Sequence, residues 1–528
     1  MAAGVSHSAV QPRNLVLHLW RAPSCPKRPL EVAISRPSEG ANTPHARLIT
    51  ARARLVTIPL LLARITLRSD QTRASPLMWL GSDVPQEKSM KQIAAMFLAF
   101  AISLALPAGA ATLEVHPQTA LFDQPVTIAM RNLTPDQKVT LTLTATDAKG
   151  NTWQSHAAFY SDPSGTLSLR DTAPFSGTYH CIDPMGLFWS MLPPSNKPTA
   201  TFAVFPQKGA PATKKDVYHL TASVDGKNVA DATIVRLLAS PNLAVKEIRQ
   251  GSLYADLYYP ANFAHDGNRH PAIIVLGGSE GGIVTSAFVA RWLASHGFVA
   301  LATAWYHIGP LPTNMVDVPV KPVQEALTYL QKLPFVNSEG IGAWGGSWGG
   351  TLALFSAAHL PGIHAIVSAL GPVTILNGID RGVPPADYRS VDASPFLYSG
   401  KPVPFVFYKE YQKFLASRDL SLIKKALIPI WQINGPVLFI AGGDDKLASS
   451  GIEASIALNI LRTHKHKFPF RVLYYPNAGH IIFPGYWPST TWAIANKYIP
   501  VGGTPAGYGR ANANVGPKTI AFFRQVLH

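Results

Sequence analysis

A mostly parallel α/β sheet preceded by an all-β sandwich is the fold class this sequence predicts, on three observations. Residues 113–238 alternate apolar and polar side chains with period two between turn signals. From about residue 241, short apolar strands alternate with helical periods. Two glycine–serine motifs, "GGSEGG" at 277–282 and "GGSWGG" at 345–350, each lie between a strand and a helix.

With 528 residues the chain predicts two or three domains. It is 47% apolar and 14% charged, the composition of a globular protein. The net charge of +16 is concentrated at the front: residues 1–89 hold 12 Lys and Arg against 5 Asp and Glu, leaving +9 over the other 439 residues. No basic stripe interleaved with aromatics occurs there, which argues against nucleic acid as a partner and leaves anionic substrates permitted. Two cysteines, Cys25 and Cys181, and the lone His464-x-His466 have no metal-ligand spacing, so neither a metal nor another cofactor is expected.

Met90 opens the stretch "MKQIAAMFLAFAISLALPAGAA", in which a Lys, an apolar run from Ile93 to Leu106 and the small residues Ala108-Gly109-Ala110 lay out a secretory signal peptide. The run is too short for a permanent membrane anchor. Cleavage after Ala110 predicts a periplasmic or secreted protein with no stable membrane anchor; a cytoplasmic location is the alternative. Residues 1–89 are then expected to be a prefix without structure, the chain starting at Met90, with a transit-type presequence as the other reading. Without Cys25, Cys181 is expected to be a small buried apolar residue.

The sandwich is predicted over 111–239. Its strands include "VTIAMRNL" from Val126, "KVTLTLTATDAKGNTWQSHAAFY" from Lys138 with a turn at 149–151, and "YHLTASVDGKNVADATIVRL" from Tyr218 with a turn at Asp225-Gly226. Many short strands without helical period argue an immunoglobulin-like sandwich.

The α/β part is predicted over 240–528. "VKEIRQGSLYADLYYP" supplies the first two strands, "PAIIVL" the third, "FVALATAW" the fourth and "GIGAW" the fifth; helices "SAFVARWLASHG", "PVQEALTYLQKL" and "GTLALFSAAHL" come between or after them. "IHAIVSAL", "PVLFIAG" and "FRVLYYP" follow as the sixth to eighth. Residues 371–434 break the alternation, where a cap over the carboxyl edge of the sheet is expected.

That count decides between the two serines. In the α/β-hydrolase fold the nucleophile follows the fifth strand, and the loop after the third strand supplies an N–H to the oxyanion hole. Ser347 is therefore the predicted nucleophile and "GGSEGG" the oxyanion loop. Strands seven and eight end at "GGDD" and "NAGH", where this fold carries its acid and its histidine. His480 is the expected base. Asp445 is preferred over Asp444 as the acid, because it stands third after Gly442. Gly345 and Gly349 relieve the sharp turn at Ser347. The N–H of Trp348 is one expected oxyanion donor and that of Gly278 or Ser279 the other, while the role of Glu280 stays open.

With these motifs in place, the sequence resembles the type I acyl-CoA thioesterases and bile acid-CoA:amino acid N-acyltransferases over nearly all of 115–528. The resemblance rests on "YHCIDPMGLFWSM" in the sandwich and on "LGGSEGG", "GAWGGSWGG", "GPVLFIAGGDD" and "YYPNAGHIIFPGYWP" in the α/β part. It implies hydrolysis of a fatty acyl-CoA thioester through an acyl-enzyme, or acyl transfer to an amino acid, with Ser347, Asp445 and His480 as nucleophile, acid and base. The N-acyltransferase branch generally carries cysteine at the nucleophile, so Ser347 tilts the expectation toward hydrolysis. Two departures, at Trp431-Gln432 and at "KLASS" after Asp445, fall at the expected rim of the site. A small-molecule acyl-CoA or ester is the expected substrate. An exported carboxylester hydrolase, an N-acyltransferase and a non-catalytic binding protein are the alternatives, and the sequence does not fix the oligomeric state.

Overall fold

The period-two alternation of the first domain becomes hairpins, because successive side chains of a strand face opposite sides and only one side here is apolar. The computed structural model describes residues 30–33, 110–200, 202, 215–380, 389–495 and 499–527. Lys138–Thr146 pairs antiparallel with Thr152–Tyr160, and Lys215–Val224 with Lys227–Leu237. The Asp225-Gly226 turn takes φ of 48° and 76°, both positive as the tight primed turn of a hairpin requires. Six strands make one sheet and Thr112–His116, Thr127–Arg131 and Leu167–Ser168 a second. Val115, Ile128 and Met130 of the smaller sheet share one apolar cluster with Leu141, Leu143, Leu220 and Ile234 of the larger.

In the second domain we number eight strands. They are β1 Leu243–Gln250, β2 Leu253–Pro260, β3 His270–Leu276, β4 Val299–Ala304, β5 Val336–Gly346, β6 Ala365–Ala369, β7 Val437–Gly442 and β8 Phe470–Tyr475. Their order across the sheet is β1-β2-β4-β3-β5-β6-β7-β8. From β4 to β8 all neighbours are parallel, whereas β2 is antiparallel to both β1 and β4. This is the mixed sheet of an α/β hydrolase, buried on both faces as its near-continuous apolar strands require. Ala272, Ile274 and Leu276 of β3 enter one apolar cluster, Ile273 and Val275 the other. Helices α1 Val284–Ser295, α2 Lys321–Gln331, α3 Trp348–His359, α4 Tyr408–Ser417, α5 Ser450–Thr463 and α6 Pro505–Val526 follow.

Three features depart from expectation. The segment expected to carry no structure contributes Leu30–Ala33 as a ninth strand, antiparallel to β8 with Ala33 opposite Arg471. Four residues of alternating character at an open sheet edge suffice for this, too short a signal to stand out in sequence. Cys181 is half-buried and disulfide-bonded, not a buried apolar residue; its partner and residues 90–109 of the leader lie outside the described residues. Helix α6 has no plain sequence signature, since it contains Gly507, Gly509, Gly516 and Pro517. Its glycines mark close approaches: a Cβ at Gly507 would lie 1.9 Å from Asn477 O, and one at Gly509 2.7 Å from the Trp189 ring.

The sandwich is joined to the second domain by polar and aromatic contacts. Trp292 Nε1 of α1 donates to Asp123 Oδ2 at 2.7 Å, and His296 Nε2 lies 2.7 Å from the same oxygen. Phe122 packs on Trp487 with ring centroids 4.6 Å apart. The segment after His480 meets the stretch "DPMGLFWSM" and Phe202 beyond it: Ser489 N donates to Trp189 O at 2.9 Å, Thr490 Oγ1 to Met191 O, and Phe202 N to Thr491 Oγ1 at 3.0 Å.

Candidate active site

Strand β5 runs into α3 through Ser347, whose backbone takes φ 53° and ψ −124°. A non-glycine residue held there costs about 1–3 kcal/mol, a strain met at functional turns. Two glycines make the turn possible. A Cβ at Gly345 would meet Gly349 O at 2.1 Å, and one at Gly349 would meet Gly277 O at 2.3 Å. The second contact also brings the start of α3 against the end of β3, as the strand register does by pairing Leu276 with Gly345.

At the same sheet edge, β7 ends before Asp445 and β8 before His480. His480 Nδ1 lies 3.0 Å from Asp445 Oδ2, and its Nε2 2.9 Å from Ser347 Oγ. An ionised carboxylate only accepts, so Nδ1 carries the proton and Nε2 accepts from the Ser347 hydroxyl. Asp445 and His480 are both buried, while Ser347 is half-exposed. Burial raises the Asp445 carboxyl, but His480 and the Ala448 and Ser450 donors outweigh it and hold the group below the usual carboxylate range. Leu447 N and Ala448 N both donate to Asp445 Oδ1, at 3.0 and 2.9 Å. Asp444 points elsewhere, accepting from Gly503 N at 2.8 Å and pairing with Lys446 at 2.7 Å. The pairing of acid with histidine thus falls on Asp445.

The loop after β3 lies against Ser347: a Cβ at Gly278 would stand 3.2 Å from Ser347 Cβ. Here the structure separates two alternatives that the sequence left open. The Gly278 N–H donates to Glu280 Oε1 at 2.8 Å and is already engaged. Among the described residues, the Ser279 and Trp348 N–H groups donate to no protein acceptor. Ser279 is accordingly the free member of the Gly278 or Ser279 alternative.

Sequence reasoning missed a second tier. Glu453 of α5 is fully buried and accepts from Val373 N at 3.0 Å, Thr374 N at 3.1 Å, Thr374 Oγ1 at 3.1 Å and Tyr411 Oη at 2.7 Å. It ties the chain after β6 and helix α4, both within 371–434, to the helix that follows the Asp445 turn. Burial raises its carboxyl above the usual range. A Glu one helical turn inside α5 reads in sequence as a solvated face, so no signal marked it. Phe396, from the same insertion, packs on Trp348 with ring centroids 6.1 Å apart.

Among the described residues, no three His, Cys, Asp or Glu gather to hold a metal, and no helix is long and apolar enough to cross a membrane. The family model for the acyl-CoA thioester hydrolase/BAAT N-terminal region matches residues 123–250, and that for the BAAT/acyl-CoA thioester hydrolase C terminus matches 318–528. An acyl-coenzyme A amino acid N-acyltransferase 2 of Rattus norvegicus is 30% identical over 423 residues, 78% of this chain and 97% of its own. The chain belongs to the acyl-CoA thioesterase/BAAT family. Two further members, acyl-coenzyme A thioesterase 6 of Mus musculus and mitochondrial acyl-coenzyme A thioesterase 2 of Homo sapiens, are 29% and 28% identical. These alignments take in 79% and 92% of this chain and 97% and 96% of the relatives. Among solved structures, a hyperthermophilic esterase of Pyrobaculum calidifontis is 18% identical across 54% of this chain and 86% of its own, with a TM-score of 0.32.

Proposed function

We propose that this family member is a serine hydrolase that cleaves acyl-CoA or a related acyl thioester to free acid and thiol. The observation that carries the reading is the hydrogen-bond chain from Asp445 through His480 to Ser347, at 3.0 and 2.9 Å. Serine hydroxyls are poor nucleophiles until a positioned base accepts their proton, and this chain of groups supplies one.

In the mechanism that follows, Ser347 Oγ attacks the acyl carbonyl carbon while its proton passes to His480 Nε2. Asp445 stabilises the resulting imidazolium. The oxyanion is held by the Ser279 and Trp348 N–H groups. As the thioester C–S bond breaks, His480 returns the proton to the departing thiolate. Water then attacks the acyl-serine, His480 taking its proton and giving it to Ser347 Oγ as the acid leaves.

The test is thiol release from a chain-length series of acyl-CoAs beside matched p-nitrophenyl esters, with wild type and Ser347→Ala. Turnover of the thioesters that falls by about 10³-fold or more in Ser347→Ala is the expected result. Ester turnover alone would replace the thioesterase with a carboxylester hydrolase; thioester turnover unchanged in Ser347→Ala would sink the serine mechanism. The name of the rat relative favours a second reading, acyl transfer to an amino acid. Adding glycine or taurine to the same assay tests it, because a transferase yields the N-acyl product. Export rests on the leader sequence at 90–110 alone, and sequencing the amino terminus of the purified native protein tests it.

A further inference from the structure

The loop after β3 is held at almost every peptide. Trp305 Nε1 donates to Gly277 O at 3.0 Å, and Gly278 N donates to Glu280 Oε1, so both ends of the 277–278 peptide are engaged. Gly281 N donates to Gly278 O at 3.3 Å and the Tyr306 hydroxyl to Ser279 O. Gly282 N donates to Tyr306 O at 2.9 Å. In a trans peptide the C=O and N–H point to opposite sides. Fixing Gly278 O on one side therefore leaves the Ser279 N–H directed to the other. The two glycines before Ser279 make room for the carboxylate: a Cβ at Gly277 would lie 2.7 Å from Glu280 Oε1, and one at Gly278 2.9 Å from Oε2.

We propose that Glu280 is a positioning residue, which by accepting the Gly278 N–H fixes the loop so that Ser279 N–H, with Trp348 N–H, receives the developing oxyanion at Ser347. The proposal rests on the serine reading and gives a role to the acidic residue of "GGSEGG". Glu280 acts by holding the 277–278 peptide, which sets where the next peptide, carrying Gly278 O and the Ser279 N–H, begins; an amide oxygen at the same place does the same work as the carboxylate.

Phosphonylation of Ser347 by a fluorophosphonate tests this without knowledge of the natural substrate. The Ser347 Oγ–P bond forms, the P–F bond breaks, fluoride leaves, the serine proton passes to His480 Nε2, and charge gathers on the phosphoryl oxygen as it does on a carbonyl. The second-order rate constant is measured for the full chain as wild type, Glu280→Gln and Glu280→Ala, with a thermal melt of each. Expected are a loss of at least fivefold in Glu280→Ala at unchanged melting temperature and a rate within twofold of wild type in Glu280→Gln. A loss below fivefold in Glu280→Ala, or a Glu280→Gln loss beyond twofold, overturns the proposal. A Glu280→Ala loss that comes with a lowered melting temperature assigns Glu280 to folding and overturns it too. Failure of the underlying reading has a different signature, a wild-type chain that the probe does not label at all.

Discussion

The meeting of Ser347, Asp445 and His480 at one sheet edge was readable in sequence, and for one physical reason. A parallel sheet delivers every strand's carboxyl end to the same edge, so counting strands places residues that stand far apart in the chain. What counting does not reveal is the use of individual hydrogen bonds. Gly278 and Ser279 are equivalent as sequence; only the Glu280 carboxylate on the Gly278 N–H separates them. Asp445 lends itself to a residue-scale prediction. Asp445→Asn keeps the shape but can donate to Nδ1, which turns the imidazole to the tautomer that no longer accepts from Ser347. A fall in kcat of about 10³- to 10⁴-fold with an unchanged far-ultraviolet circular dichroism spectrum is expected. A variant within tenfold of wild type would show that Asp445 does not set the tautomer.

Among elements, the strands were legible, by period two in the sandwich and by short apolar runs between turn residues in the α/β part, whereas α6 was not, because tertiary contacts hold a glycine-rich helix that propensity disfavours. The strand Lys215–Val224 carries a feature with a pH consequence. Asp216 is buried across from Arg236, and its Oδ2 has no hydrogen-bond partner among the described residues. Burial pushes the carboxyl up to about 7, Arg236 opposing and Asp147 adding to the rise. Between the ordinary value of 3.8 and about 7, the folded protein binds a proton that the unfolded chain has lost. This contribution to stability therefore decreases as pH rises through that window. Asp216→Asn removes the ionisation. Relative to wild type its melting temperature should rise progressively between about pH 4 and pH 7 and level off above; a difference independent of pH would refute the raised carboxyl.

For the whole molecule, the division into sandwich and α/β part was visible as a change of periodicity, but the joint between them was not, since Asp123, Trp292 and His296 have no motif in common. That joint covers large aromatic surface. Phe122 lies in the same buried cluster as Phe288, Trp292 and Trp487. Residues 240–528 expressed alone are expected to be insoluble or to bind a hydrophobic dye strongly, because the face closed by Phe122 opens to water. A soluble, cooperatively melting fragment would show that the sandwich is dispensable for folding. The contacts of residues 489–491 with Trp189, Met191 and Phe202 span nearly three hundred residues of chain. They set a schedule for synthesis. On the proposed mechanism, a chain halted before His480 has its nucleophile and acid but no base, and even afterwards the histidine's own segment docks only on a sandwich made much earlier. Hydrolytic competence thus arrives among the last events of biogenesis, so the growing polypeptide passes through its assembly chemically silent.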